Sequence, residues 1–319
     1  MTSTEKATAR AGASSAPAPA RRSGRGPAGR ERRGLALLLA PFVAGLVLLI
    51  FLPAIATFVL ALFSYDFVSP PRFVGLGNFP ELIRDDIFRI SLGNTLKFVA
   101  LSVPLRLLAA LGLALLLHKR FRGAGLLRAG AFVPSIIPDV AYALLWVWIL
   151  NPLYGPLNLA LMALGLPHVP WATSPTAAQL GIVLMTLLPL GEGFLIALAT
   201  RQSIPEHLYE LAELESASPW FVLRRVTLPL MAPTLALLLF RDTVYSFQVS
   251  FLPAFVVTGG GPPPFSTTYL PLYVYRTGFE FLRFGKAAAA TLVMFAVTAL
   301  IVFLQWRIIR RWRRSFELI

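Results

Sequence analysis

Four ionisable residues stand out inside the long apolar runs of this chain: Arg106, Glu192, Arg241 and Asp242. A charge at the centre of a bilayer costs about 2.5–3.5 kcal/mol on insertion scales, so such groups face a protein interior or water. Counted at about 1.5 Å of rise per residue from the expected cytoplasmic ends of their runs, all four fall near the middle third of a membrane. Arg241 and Asp242 are sequence neighbours that point about 100° apart on a helix, which predicts that neither simply neutralises the other on a shared face. Cross-helix pairs of Arg106 with Glu192 or with Asp242 are the alternatives. Either these groups form interhelical ion pairs that fix packing, or they line a polar path for a solute. Tyr245, Phe247 and Gln248, close to Asp242, offer aromatic surface and one amide, groups suited to a polyol. Glu192 stands in "GEGF", where the glycines allow close helix approach or water access to the carboxylate.

Residue types exclude most other chemistry. Cysteine is absent, which removes disulfides, thiolate nucleophiles and Cys-based metal sites together. His118, His168 and His207 are scattered without metal-ligand spacing. No G-x-x-x-x-G-K-[ST] phosphate loop exists, because Gly285-Lys286 is followed by Ala and lacks the earlier Gly. Neither a Ser-His-Asp nor a paired-carboxylate arrangement stands out. No catalytic, cofactor-binding or metal-ligating residue is predicted, and the chain is not expected to be an enzyme.

The elements that must position these residues are membrane helices. Of 319 residues, 56% are hydrophobic and only 14% charged, with a mean hydropathy of +0.70. Average soluble domains are nearer 25% charged. The net charge of +14 follows topology rather than nucleic-acid binding, because basic residues cluster at the ends of apolar runs. Residues 1–33 mix Lys6 and seven arginines with Ala, Pro, Gly and Ser, and read as a disordered cytoplasmic tail. The run that follows is too long for a signal-peptide core and is expected to remain as the first span. A helix needs about 20 largely apolar residues to cross the hydrocarbon core. Six runs qualify: 34–63, 93–117, 126–151, 177–200, 231–257 and 287–306. The N-terminal tail, the second connection "HKRFRGAGLLR", the fourth connection with Arg201, Arg224 and Arg225, and the C-terminal "RIIRRWRRS" carry the clustered basic residues. The first connection mixes both signs, and the third has no charge. Both termini are therefore predicted to be cytoplasmic, with a short C-terminal tail at 315–319.

One stretch, "YELAELESASPWFVLRRVTLPLMAP" at 209–233, interrupts this pattern with acids, a Ser-Pro break and paired arginines. Ser203 and Glu206 have the spacing of a capping box around Pro205, predicting a short helix to about Glu215. Ser218-Pro219 then reads as a second N-cap followed by proline at the first helical position. That second helix is expected over Trp220 to Val226, with Pro229 and Pro233 marking its passage into the fifth span. The result is a helix-turn-helix on the cytoplasmic surface.

"ELAELESASPWFVLRRVTLP" resembles the EAA loop of permease subunits in binding-protein-dependent ABC importers. Glu210, Leu211 and Ala212 match its first three positions, Ser216 stands where Gly is usual, and Leu228-Pro229 closes it. "FVGLGNF", "NTLKF", "RGAGLLRAGAFVPSIIP", "WVWILNPLYGPLN", "RQSIPEHLYE" and "TGGGP" are, in this order, similar to carbohydrate-importing permeases. The resemblance covers residues 35 to 314. It implies an all-α polytopic permease domain at 34–314, with a cytoplasmic coupling loop at 203–229. It also implies a bacterial inner-membrane location and a path for a sugar or related polyol formed with a second permease, which in such importers is usually a different, related chain. ATP would be bound by separate ATPase subunits, and an extracytoplasmic solute-binding protein would deliver cargo. Glu210 would meet a basic group of the ATPase, with Leu211, Leu214 and Trp220 as apolar anchors. Arg106, Glu192, Asp242, Tyr245 and Gln248 are the expected path residues. Related permeases carry glycerol phosphodiesters, which is the alternative cargo. A proton-coupled secondary transporter would show inverted repeats, and none is visible.

Overall fold

The computed structural model describes residues 28–119, 121–214, 218–263 and 265–316. Most of the expected basic tail (1–27), Arg120, Ser216 and the last three residues therefore lie outside the described residues. The chain divides into two units, Met1–Ile55 and Ala56–Ile319.

Helix α1 (Ala28–Leu46), in the first unit, passes through a wide turn at Val47–Phe51 into α2 (Leu52–Leu60), which spans the boundary after Ile55, giving an apolar run over Gly34–Leu60. The helix begins at Ala28, inside the stretch assigned to the tail. Arg and Glu in "AGRERRG" are good helix formers, so the charged lead-in continues the apolar helix.

The second unit opens with a hairpin of β1 (Phe63–Ser64) and β2 (Arg72–Phe73), paired antiparallel with Phe63 opposite Phe73. Helix α3 (Asn78–Arg84) follows, and the Asn78 amide donates to the Ala61 and Phe63 carbonyls at 2.7 and 2.9 Å. Asp85 then caps α4 (Asp86–Leu117), accepting from the Ile87 and Phe88 amides. This helix starts seven residues before the predicted position 93, because its first turns are charged although helical.

Two helix pairs are bent. The axes of α5 (Ala124–Phe132, continued by a tight turn to Ile136) and α6 (Asp139–Ile149) meet at 101°. Those of α8 (Pro175–Leu187) and α9 (Gly191–Ser203) meet at 49°. Pro138 and Pro189 stand at the two breaks, where each lacks the amide that would continue a helix. Between the pairs lies α7 (Pro156–Ala163). With the two bent pairs each counted once, the described residues hold six segments long and apolar enough to cross a membrane.

The predicted surface stretch is α10 (His207–Leu214) and α11 (Pro219–Val222). Ser218 caps α11, its hydroxyl accepting from the Phe221 amide at 3.2 Å. The capping box at Ser203 is not formed. Ser203 ends α9, and its hydroxyl donates back to the Thr200 carbonyl at 2.8 Å, satisfying that helix instead. Pro229 and Pro233 stand where the path from α11 enters the fifth span, and neither breaks it. A wide turn at Leu223–Thr227 joins α11 to α12 (Leu228–Val249) and onward, in one helical path over Pro219–Val257. Such wide turns re-pair carbonyls that a proline would otherwise orphan.

Helix α13 (Leu270–Tyr275) and the long α14 (Phe284–Phe316) complete the unit, so α14 takes in the first residues of the expected C-terminal tail. Helix α4 is central. Phe98, Val99 and Val103 pack with Ile182 and Val183 of α8 and Phe247 of α12. Further along, Ala114 and Leu117 meet Phe194 and Ala197 of α9 and Met231 and Leu238 of α12. Small residues at such contacts let membrane helices approach closely, where dispersion supplies the attraction. The Gly285-Lys286 pair has a packing role: a Cβ at Gly285 would run into the Phe63 carbonyl. Lys286 donates to Asp85 at 2.8 Å.

Candidate functional site: a charged cavity between broken helices

A cavity of about 350 Å³ lies where the two bent pairs meet α4 and α12. Its wall includes Pro134, Ser135 and Ile137 from the first break, Pro189 from the second, Arg106 of α4, and Arg241, Tyr245 and Gln248 of α12. Irregular backbone at membrane depth is tolerated where it is buried in protein or lines a water-filled cavity, and both breaks meet that condition. Gly191 makes the approach of α9 feasible. A Cβ there would sit 2.5 Å from Phe132 Cδ2 and from the Ser135 hydroxyl, which instead accepts from the Gly191 amide at 2.9 Å.

The four predicted intramembrane charges come together here. Arg106 is 3% exposed, and its Nη2 stands 3.9 Å from Asp242 Oδ1. Arg106 does not reach Glu192; Arg241 does, forming an ion pair with that carboxylate. Arg241 Nη1 also lies 3.4 Å from Asp242 Oδ1. The expectation that adjacent Arg241 and Asp242 cannot neutralise one another is thus overturned. The long guanidinium arm curls back over the roughly 100° that separates the two Cβ directions. Asp242 is 4% exposed and shared between two guanidinium groups. The Arg106 guanidinium also lies over the Tyr245 ring, 4.8 Å from its centroid. Its Nε and Nη1 are buried and have no hydrogen-bond partner among the described residues.

Tyr245 and Gln248 line the cavity, as does Glu192. Phe247 does not: it is 2% exposed and belongs to the core with Phe98. Sequence reasoning missed Asp139, at the first turn of α6, and Tyr142, whose hydroxyl donates to the Met185 carbonyl at 2.7 Å. The signal available for them was the proline pair Pro134 and Pro138 inside an apolar run, which marks a broken span.

At the predicted coupling stretch, Ala212 turns inward at 8% exposed, while Leu211, Leu214 and Trp220 are 56%, 82% and 67% exposed. Glu210 is exposed and makes no ion pair among the described residues. Leu228 and Pro229 are half-buried. The Tyr209 hydroxyl lies 3.2 Å from Thr227 Oγ1, and Arg201 stacks on the Tyr209 ring at 4.0 Å, tying α10 to its flanks. The glycine turn of "TGGGP" is pinned rather than loose. Gly260 donates to the Ala254 carbonyl, and Arg276 donates to that of Gly259 at 2.9 Å.

A multi-pass helical protein with a charge-lined cavity among broken spans has the build of the membrane-transport class. Residues 102–314 match the family described as the binding-protein-dependent transport system inner membrane component, and the chain belongs to it: a permease subunit of an ABC importer. It is 33% identical to the sulfoquinovosyl glycerol transport system permease protein SmoG of Agrobacterium fabrum, over 86% of this chain and 89% of that one. It is 31% identical to the trehalose/maltose transport system permease protein MalF of Thermococcus litoralis, over 84% and 90%. A crystal structure of a bacterial ABC transporter involved in the import of the acidic polysaccharide alginate contains a chain that superposes with a TM-score of 0.76 at 26% identity, covering 89% of this chain and 96% of that one.

Proposed function

We propose that this permease conducts a sugar or related polyol, the cavity between the broken helices forming part of the path. The observation that carries the reading is the convergence of Arg106, Glu192, Arg241, Tyr245 and Gln248 on one cavity at the helix breaks. Charged groups at membrane depth are tolerated beside water or a polar solute, and the amide, carboxylates and ring suit hydroxyl groups. The carbohydrate named for two of the relatives supports the same class.

The chain acts with a second, different permease, with ATPase subunits that bind and hydrolyse the nucleotide, and with an extracytoplasmic solute-binding protein. It holds no cofactor of its own. Both termini and the α10–α11 stretch face the cytoplasm, in keeping with the basic residues beside them. There the exposed Leu211, Leu214 and Trp220 insert into the ATPase, and Glu210 meets a basic group in a charge-assisted contact. Ser216 belongs to the same docking stretch by its place in the motif.

Purification in mild detergent, with partners identified by mass spectrometry, tests the assembly. Recovery with an ATPase and a second permease is expected. Recovery alone, together with proton-driven uptake in vesicles, would replace the reading by a secondary transporter centred on Glu192 and Asp242.

A further inference from the structure

We infer that Glu192 sets the charge selectivity of the cavity: by holding Arg241 it leaves no uncommitted cation there, so the site takes an uncharged, hydroxyl-bearing solute and refuses an anionic one. The inference rests on the importer reading above and narrows its substrate class.

Both guanidinium groups at the cavity are already committed. Arg241 pairs with Glu192 and lies 3.4 Å from Asp242, while Arg106 has Asp242 at 3.9 Å. The remaining Arg106 nitrogens, Nε and Nη1, are buried, so neither is presented to a carboxylate or phosphate as the side chain stands. Two arginines thus face two carboxylates, and Asp139 adds a third on the wall. Among the described residues no lysine or histidine lines the cavity. An anion that sheds its water to enter the cavity needs an unpaired cation to offset its desolvation, and none is presented among the described residues.

The uncommitted groups have a different character. The Tyr245 hydroxyl, the Gln248 amide and the Asp139 carboxylate line the cavity with no hydrogen-bond partner among the described residues. Glu192 engages Arg241 through Oε2, and its side chain is 67% exposed, so its other oxygen remains available as an acceptor. Carboxylates and amides accept the protons of solute hydroxyls, and the phenol and amide donate to their oxygens. The volume, about 350 Å³, lies within the usual range of small-ligand pockets. Glu192 is the piece on which the balance turns. Without its charge, two guanidinium groups share the single Asp242 carboxylate, and the partly exposed Arg241 becomes a free anion receptor.

The test uses the importer purified with its own partners and reconstituted in liposomes. ATP-dependent uptake is measured for a broad panel of uncharged mono- and oligosaccharides and polyols, and for uronates, sugar phosphates, sulfonated sugars and glycerol 3-phosphate. The wild type should import an uncharged member, with anions at least tenfold poorer by kcat/KM. Glu192→Gln should raise the anion-to-uncharged ratio at least tenfold, Glu192→Asp should keep the original ratio, and Glu192→Gln/Arg241→Gln should abolish the gain. Should Glu192→Gln fail to assemble, Glu192→Ala makes the same demand. A wild type that prefers an anion, or a ratio unmoved in the variant, overturns the inference while leaving the importer intact. Absence of ATP-dependent uptake in both classes overturns the importer reading beneath it.

Discussion

Asp85 holds together the end of the bundle opposite α10, and its removal should be among the costliest single changes outside the cavity. Its Oδ1 caps α4 through the Ile87 and Phe88 amides, at 2.9 and 3.3 Å. Its Oδ2 accepts from Lys286 Nζ and from the Tyr273 hydroxyl, each at 2.8 Å. Asp85→Ala loses the cap, about 1 kcal/mol. It also takes away the carboxylate acceptor of the buried Tyr273 hydroxyl, about 1–3 kcal/mol. Lys286 retains Glu81 at 3.3 Å, so its loss stays well under the roughly 3–5 kcal/mol of a fully orphaned buried charge. The sum is about 3 kcal/mol. Asp85→Asn keeps the cap acceptor and the volume, and should cost about half as much. Burial tends to raise the Asp85 pKa, but the hydrogen bonds from Lys286, Tyr273 and the Phe88 amide, with the Lys286 charge, outweigh it and hold the group below 3.8. A depressed folded value means that the folded state binds fewer protons. The stabilisation is therefore complete above the ordinary aspartate range and lost as pH falls through the folded value. Unfolding in detergent, followed by tryptophan emission across pH, measures both effects. A double-mutant cycle of Asp85→Asn with Lys286→Met should return a coupling of about 1 kcal/mol. Additive single variants, or an acid slope that survives in Asp85→Asn, would refute this account of the cluster.

Two further changes have defined outcomes. Glu210→Ala should weaken co-purification of the ATPase and lower uptake while the chain still inserts in the membrane; normal uptake would remove the coupling role of that carboxylate. Gly191→Ala forces a Cβ to within 2.5 Å of Phe132 Cδ2 and Ser135 Oγ. Overpacking of this kind costs about 1–3 kcal/mol, so a melting temperature equal to the wild type would show that α9 does not depend on the close approach.

Apolar run length identified the helical spans, because lipid imposes it directly on composition. Their breaks were harder to read. Pro138 and Pro189 sit in runs that scan as uninterrupted, and hydropathy does not register a bend of 101° or 49°. The midplane charges were legible because each violates the apolar rule, but their pairing was not. Whether Glu192 meets Arg106 or Arg241 depends on how α9 enters after its break, which no local pattern encodes. Ser203 misled for a related reason. A serine between two helices can cap the second or bond back to the first, and the choice depends on where the first helix ends. Asp139 broke the apolar rule as well, in the middle of the run 126–151, and was passed over there; the break at Pro138 makes it a first-turn acid of α6, where a carboxylate is ordinary.

The surface stretch and the cavity are joined by chain continuity. Helix α10 follows directly from α9, whose first turn carries Glu192. Helix α11 runs without a break into α12, which carries Arg241 about 30 Å along the axis from Trp220. The two arms of the stretch thus hold the two helices whose ion pair lines the cavity. A push on α10 and α11 that alters the spacing of α9 and α12 would act on the Arg241–Glu192 contact, opening or restoring the local charge balance. Thr200 and Thr234 bridge these helices with their hydroxyls 3.1 Å apart. The absence of native cysteine makes Thr200→Cys/Thr234→Cys a selective clamp. When oxidised, that variant should still recover its ATPase while uptake falls at least tenfold, and reduction should restore it. Full uptake by the cross-linked protein, with the disulfide verified by mass spectrometry, would mean that α9 and α12 move as one body and that the stretch drives the cavity by some other route.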